Sequence, residues 1–386
     1  MNILNGFNFE LPTKIEYGVG VVSRLCEVIA VFKAKKIMVV TDNGIEASGL
    51  LNQVTEPLSN SGLAWEVFDG VEANPKDYNV QDGAQLARRF GADCLIAVGG
   101  GSPIDCAKAI CVTAIHGGAV RDYAGQGKIS GDVLPLIAIP TTAGTGSEVT
   151  FSSVITDTRE KYKFSLKDTK IAPRVALVDP AMTVTMPPGL TAATGMDALT
   201  HAIEAYTALA AEPLSDASAL YAIELIVKYL KTAVAEGRNV EARAGMLLGS
   251  VLAGIAFSHS DVAAVHCIAE ALGGKYDAAH GVCNAMVLPT VMEYNLNHCK
   301  EKYARIAAAM GIRFEDINDG AAKAVTAVKQ LASDVNLPAF SSLGVKEDDI
   351  EELAHKSAIN GSNADNPRPM AKQDYLDLFE KLCAAG

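Results

Sequence analysis

Apolar residues recur in two different rhythms along this chain, and the rhythm changes near residue 188. Before that point, short runs with few polar positions alternate with segments of helical period such as 77–90 and 103–115. The runs are KKIMVVTD (35–42), LAWEVFDGV (63–71), DCLIAVGGG (93–101), LPLIAIPTT (134–142) and RVALVDP (174–180). Strands apolar on both faces suit a parallel sheet covered from both sides. The pattern therefore predicts an α/β domain over residues 1–188, with a mostly parallel, doubly wound, Rossmann-like sheet. The stretch TFSSVITDTREKYKFSLKD (150–168) predicts a hairpin turning at Asp157 to Glu160, an antiparallel insertion in an otherwise parallel unit.

After Pro187-Pro188-Gly189 only helical period remains, with the longest segments near 216–237, 240–257, 281–296, 318–335 and 371–384. A second, all-α domain is expected over residues 189–386. Two domains also agree with the length, since 386 residues exceed what one core usually supports.

Composition narrows the function classes. The formal charge of −12 argues against general affinity for nucleic acid or anionic membrane. The eight cysteines form no CxxC pair and read as reduced thiols of a cytoplasmic protein. MNILNGFNFELPTK has no basic and then apolar leader pattern, so no signal peptide is indicated, and no stretch is expected to reach a membrane span.

Candidate chemistry begins in TAATGMDALTHAIEAYTA (191–208), where Asp197 and His201 stand one helical turn apart beside the stripe Met196, Leu199, Ile203 and Tyr206. Alone, such a pair is an ordinary polar contact. However, DVAAVHCIAEALGGKYDAAHGVCNAMVLP (261–289) adds His266 and His280 in apolar surroundings, fourteen residues apart. One carboxylate and three imidazoles suit iron(II), zinc or a similar cation. The rival reading is two buried histidines satisfied by backbone beside an unrelated pair. His116, His298 and His355 read as surface or helix-end residues, whereas His259, in SHSD (258–261), is close enough in sequence to His266 to reach the same cleft.

In DCLIAVGGGSPIDCAKAI, Gly99, Gly100, Gly101 and Ser102 lie between a buried strand and a helix expected to begin at Pro103. Backbone amides there can cradle a pyrophosphate, although the spacing is not GxGxxG and a ligand-free tight turn is the alternative. Asp42 ends a strand, where a carboxylate can hold an adenosine ribose and repel a 2′-phosphate, favouring NAD over NADP; an N-cap is the alternative. PTTAGTGSEVT (140–150) offers hydroxyls and glycines that can wrap a cofactor, or simply make a polar turn.

Taken in order, FNFELPTKIEYGVGVV, the strand-end TD, EANP (72–75), GGGSPIDCAKAI, PTTAGTGSEVT, GMDALTHAIEAY, the VH…GGKYDAAHG block and NPRP (366–369) resemble the iron-containing (group III) alcohol dehydrogenases. The similarity is to the branch holding lactaldehyde reductase, 1,3-propanediol dehydrogenase and butanol dehydrogenase, over nearly the full length. It implies a dehydroquinate synthase-like architecture. It also implies that Asp197, His201, His266 and His280 hold a catalytic metal, usually Fe2+ and in some members Zn2+. Asp42, Asn74, Gly101, Ser102, Thr141, Thr142, Thr145, Thr150 and Lys163 fall at positions like the family's NAD contacts, and Phe151, Ser152 and Phe257 at substrate-cleft positions.

The chain departs from the family's VHxxAH, reading VHCIAEA with Glu270 at the second histidine's place, where it would serve as a proton relay or form an ion pair. His259, Ser260 and Asp261 replace an Asn and small apolar residues, which makes the cleft more polar. The expected reaction interconverts a small primary alcohol and its aldehyde, with the metal as Lewis acid and NAD(H) as hydride carrier, in a cleft between the domains. Rivals are a glycerol dehydrogenase-like polyol oxidation, a dehydroquinate synthase-like lyase, which would need clustered basic residues near the metal helices, and a non-catalytic NAD sensor. A homodimer or higher homo-oligomer is implied by the N-terminal segment's likeness to one that pairs between subunits.

Overall fold

Strand positions follow the apolar runs, and the strands assort into two sheets. The computed structural model describes residues 6–384; the first five residues of the stretch read as lacking a leader lie outside them. Among the described residues the nine strands are β1 (Lys14–Tyr17), β2 (Lys36–Val40), β3 (Ala64–Phe68), β4 (Cys94–Gly99), β5 (Gly125–Gln126), β6 (Leu136–Pro140), β7 (Ser152–Asp157), β8 (Tyr162–Lys167) and β9 (Val175–Val178). Six form one sheet in the order β1-β9-β6-β4-β2-β3, every pair parallel. The 150–168 hairpin forms as β7 and β8, but it does not enter the parallel sheet: with β5 it makes a separate three-stranded sheet. Edge strand β1 escaped the apolar pattern because KIEY buries only Glu16.

Helices of this unit are α1 (Leu25–Phe32), α2 (Asn43–Ser48), α3 (Asn52–Ser61), α4 (Asp77–Phe90) and α5 (Gly101–His116). Side chains alternate across a strand, so the two faces of the sheet seed two cores. Met38, Val40, Leu95, Ala97 and Ala138 pack with α4 and α5 residues such as Val80, Ile104 and Ile110. Ile37, Val39, Ile96, Val98 and Ile139 pack with Leu25, Ile29, Val54 and Leu58 of α1 and α3. Helix α5 starts at Gly101 with Gly100 as N-cap, two residues earlier than expected. Pro103 sits at the third helical position, which it tolerates because amides of the first turn have no intrahelical partner.

A buried charged network ties α5 to the segment entering β7. The Lys108 ammonium, fully buried, donates to Ser147 Oγ (2.9 Å), Thr150 Oγ1 (2.8 Å) and the Ser152 carbonyl (2.7 Å). One turn earlier, Asp105 accepts from Ser147 Oγ (2.5 Å) and from Val154 N (2.9 Å). Burial pushes the Lys108 amine down to about 8 and the neighbouring Glu148 carboxyl up to about 7.

The remaining unit comprises residues from Pro187 onward, together with Ala143–Thr145 and the N-terminal stretch through Phe9. Its helices are α6 (Pro188–Thr207), α7 (Pro213–Ala235), α8 (Val240–Ser260), α9 (Ala264–Tyr276), α10 (His280–Ala309), α11 (Ile317–Asp334), α12 (Ile350–Ala358) and α13 (Lys372–Ala384). No strand occurs in it among the described residues. Helix α6 packs against α7, α8 and α10. The segment expected at 281–296, which already spans Pro289, runs on as α10 to Ala309, where packing against neighbouring helices such as α6 and α11 carries it further. The expectation that no stretch reaches membrane-spanning length fails for α8, which does so by length and composition. Helix α8 is apolar around most of its circumference because it is a central, mostly buried helix of the bundle.

Glu148 generates a pH prediction. Its folded-state carboxyl keeps a proton that the unfolded chain releases above about pH 4.5, so stability falls as pH rises from about 4.5 to about 7 and is flat in this respect above that. Glu148→Gln is expected to remove this dependence. Relative to the variant, the parent should lose on the order of 2 kcal/mol between about pH 5 and about pH 7.5 in urea unfolding. Parallel curves for the two proteins would refute the assignment.

Candidate functional site

Helix α6 opens with Pro188 at its first position and is buried on all sides from Gly195 to Thr207. The 3.6-residue period places Asp197 and His201 on one face. Helix α9 brings His266 to them and the first residue of α10 brings His280. One ligand atom from each of the four lies within 4.8 Å of all the others. The ring centroids of His201 and His266 are 4.5 Å apart, and those of His266 and His280 5.2 Å. Close approach of α10 to α6 depends on Gly281, where a Cβ would stand 2.7 Å from the Ala193 carbonyl oxygen.

Two residues that the sequence reading did not select complete the cluster. Glu204, buried on α6, accepts from the backbone N–H groups of Ala263 (3.0 Å), Val265 (2.7 Å) and His266 (3.4 Å), and from His266 Nδ1 (2.6 Å). It thus caps α9 and fixes the His266 tautomer, with hydrogen on Nδ1 and the Nε2 lone pair facing inward. Asn284 lies fully buried on α10, and its Nδ2 contacts Asp197 Oδ1 (2.7 Å), His266 Nε2 (3.0 Å) and His280 Nε2 (3.1 Å). A signal for each was present in the sequence: Glu204 follows His201 by three residues on the same helix, and Asn284 follows His280 by four.

Electrostatics follow from burial and these contacts. Burial alone would raise the Asp197 carboxyl, but His201, His280, His266 and the Asn284 amide together hold it below its ordinary value. Burial pushes the His201 imidazole down to about 4, against the pull of Asp197. Burial also disfavours charge on His266, yet the Glu204 carboxylate outweighs it and holds that imidazole above its ordinary value. The donor set therefore offers an anionic oxygen and nitrogen lone pairs in a dry place, which suits a divalent cation. His201 Nδ1 adds a buried polar atom with no hydrogen-bond partner among the described residues.

Around the cluster, Phe257 of α8 stacks on the His201 ring with centroids 4.5 Å apart. His259 is not among the converging groups: its ring stacks on Phe9 at 3.9 Å and its Nδ1 contacts the Ile255 carbonyl at 2.8 Å. Glu270 is half-buried one turn after His266 and accepts from Asn360 Nδ2 at 2.6 Å. Asp261 holds a positive φ of 61° at the end of α8 and accepts from Ser362 Oγ at 2.8 Å.

Of the predicted dinucleotide residues, Gly99 to Ser102, Thr141 and Thr142 lie at the carboxyl ends of β4 and β6, the kind of place where open α/β sheets bind ligands. Thr141 N donates to the Gly99 carbonyl (2.9 Å), joining the glycine turn to the following threonine loop. Gly99 has φ +152°, and a Cβ there would meet Pro103 at 2.5 Å. Thr142 packs on Gly100, Gly101 and Ser102 open α5, and Thr141 Oγ1 is buried with no hydrogen-bond partner among the described residues. Asn74 Oδ1 accepts from Lys163 Nζ at 2.7 Å. Thr150 and the Ser152 carbonyl are held by Lys108, and half-buried Phe151 accepts at its carbonyl from Asp168 N. Asp42 is the N-cap of α2, accepting from Gly44 N (2.8 Å) and Ile45 N (3.0 Å), both at Oδ1. Thr145 groups with the helical unit rather than with the sheet.

Comparison with known proteins identifies the lineage. The family signature described as iron-containing alcohol dehydrogenase matches residues 12–180, and that of the Fe-containing alcohol dehydrogenase family, C-terminal, matches residues 191–383. A 1,3-propanediol dehydrogenase of Klebsiella pneumoniae is 41% identical over 380 residues, covering 97% of this chain and 98% of that one. The crystal structure of a 1,3-propanediol oxidoreductase superposes with a TM-score of 0.95 at 41% identity, covering 98% of this chain and 100% of the other. A sulfoacetaldehyde reductase of Bifidobacterium kashiwanohense, solved in complex with NAD+, gives a TM-score of 0.88 at 29% identity over 99% of this chain and 100% of that one. Fold and cation-ready cluster are thus those of a metal-binding oxidoreductase. The chain belongs to the iron-containing alcohol dehydrogenase family.

Glu204→Ala is expected to cost about 3–5 kcal/mol, because it strands three backbone amides and the His266 N–H in a buried place. Glu204→Gln, which keeps a carbonyl acceptor, should cost distinctly less. Thermal unfolding of the two variants beside the parent checks this, and equal losses would refute the capping role.

Proposed function

We propose that this protein interconverts a small primary alcohol and its aldehyde with NAD(H), using a divalent metal held by Asp197, His201, His266 and His280. The convergence of those four ligand atoms within 4.8 Å, in a chain of this family, carries the reading. Fe2+ is the proposed ion and Zn2+ the alternative, since carboxylate and imidazole donors suit both. Bound there, the cation supplies Lewis acidity to the substrate oxygen, and the nicotinamide supplies or accepts hydride.

The residues of this chain provide the setting. Glu204 holds His266 with its lone pair inward, and Phe257 covers one face of His201. Gly99 to Ser102, with Thr141, Thr142, Thr145 and Thr150, receive the dinucleotide's phosphates and ribose, while Asn74 and Lys163 act as a linked pair. Asp42, capping α2 through Oδ1, directs Oδ2 to the adenosine ribose. Phe151, Ser152, Phe257 and His259 line the substrate, and Glu270, steadied by Asn360, replaces the relay histidine usual in the family.

Residues 1–188 are proposed as the NAD-binding domain and 189–386 as the metal-binding and catalytic one. A cytoplasmic location fits the eight cysteines, none of which is disulfide-bonded, and a homodimer or larger homo-oligomer is proposed from the likeness of the N-terminal segment to one that pairs between subunits.

His266→Ala and His280→Ala are expected to lose bound metal and at least about a hundredfold in NADH oxidation with short aldehydes. Elemental analysis beside an aldehyde panel tests this, and full turnover without metal would end the reading. Asp42→Gly should raise activity with NADPH relative to NADH. Glycine is nearly as good an N-cap, so the fold should lose only a few tenths of a kcal/mol. An unchanged cofactor ratio would remove Asp42 from the ribose.

A further inference from the structure

Glu270 is a half-buried carboxylate of the helical unit that forms no ion pair among the described residues. It follows His266 by one turn on α9, so the two side chains share a face of the helix. Behind burial, Glu204 and Asp197, its charge is one of those acting on the His266 imidazole. The side chain's one hydrogen bond among the described residues comes from Asn360 Nδ2, 2.6 Å from Oε2. Asn360 is fixed in that role. Its Oδ1 accepts from Ser362 N (3.0 Å), and Ser362 Oγ in turn donates to Asp261 Oδ1 (2.8 Å), so the amide turns its N–H end toward Glu270. An amide donates without supplying charge. The lysines of α9 and of α12, which packs against it, are held elsewhere: Lys275 by Asp349 and Glu352, and Lys356 by Glu352. The metal reading does not use this charge either, because a divalent cation is balanced by Asp197 and Glu204 together. Glu270 is thus one negative charge in excess, in a place where partial loss of water makes an opposite charge favourable.

We propose that Glu270 selects a substrate carrying its own positive charge: a small primary alcohol, or its aldehyde, with an ammonium group on the carbon next to the reacting one. The proposal rests on the alcohol–aldehyde reading and names the substrate class of that same site. One helical turn, about 5.4 Å along the axis, separates Glu270 from His266, so one short molecule can place its oxygen at the cluster and its nitrogen at the carboxylate. Hydride transfer is unchanged by the charge. The carbinol carbon gives hydride to NAD+, the hydroxyl gives its proton to solvent, and the ammonium nitrogen takes no part.

The test sets ethanolamine against its neutral isostere propan-1-ol, with the full-length, metal-loaded protein at saturating NAD+ and a pH at which the amine is protonated. The parent is expected to favour ethanolamine about tenfold or more in kcat/KM, chiefly through KM, the discount for partial exposure being included. Glu270→Gln, which keeps the shape and an acceptor for Asn360, should bring the ratio to about one, and calorimetric binding of ethanolamine should weaken by the same factor. Glu270→Asp, which keeps the charge, should retain part of the preference. The ratio is read rather than the rate, because a loss common to both alcohols belongs to proton relay. A parent that oxidises both without preference, or a Glu270→Gln variant with the parent's ratio, would overturn the proposal. A parent that oxidises no short primary alcohol at all would instead overturn the reading on which the proposal stands.

Discussion

The Glu204 carboxylate is the interaction on which the helical unit's chemistry depends. It is a buried charge on α6 that receives the amino end of α9 and the His266 ring at once. A buried carboxylate persists only when its oxygens are fully engaged, and here the partners are the otherwise orphaned amides of a helix start. One group therefore settles where α9 begins, which way His266 turns and which ring nitrogen keeps its lone pair. Asp197, two turns earlier on α6, then meets an imidazole whose orientation is already fixed.

In the sheet unit, Lys108 and Asp105 play the corresponding part from α5. They pin the segment from Ser147 to Val154 against the helix whose first turn carries the glycine cradle. The glycine turn and the segment leading into β7 are thereby tied to one helix. In each unit a buried polar side chain on a long helix holds backbone in place, and the exposed chemistry rests upon it.

Much of this was legible in the chain before any coordinates. Continuous apolar runs marked five of the six parallel strands, and the D-x-x-x-H spacing with two distant histidines marked the cluster. Glu204 was passed over because a glutamate in a helix is ordinarily solvated, and only the arrival of α9 reveals its burial. Asn284 carried the i+4 signal but no charge or conventional ligand chemistry to draw notice. Asp42 shows the reverse: its capping bonds are local and were foreseeable, whereas any ribose contact is not fixed by the backbone around it. Pro103 misled about a helix start because proline fits within the first helical turn as well as at its first position, while packing carries α10 beyond its expected end.

Gly281 carries an evolutionary consequence. The atom that an added methyl would strike is the Ala193 backbone oxygen, not a side chain. No replacement at residue 193 can trim that oxygen away, so a larger residue at 281 has no second-site suppressor across the contact. The position is constrained by main-chain geometry, so a larger residue there must move α10 away from α6 and, with it, His280 away from Asp197.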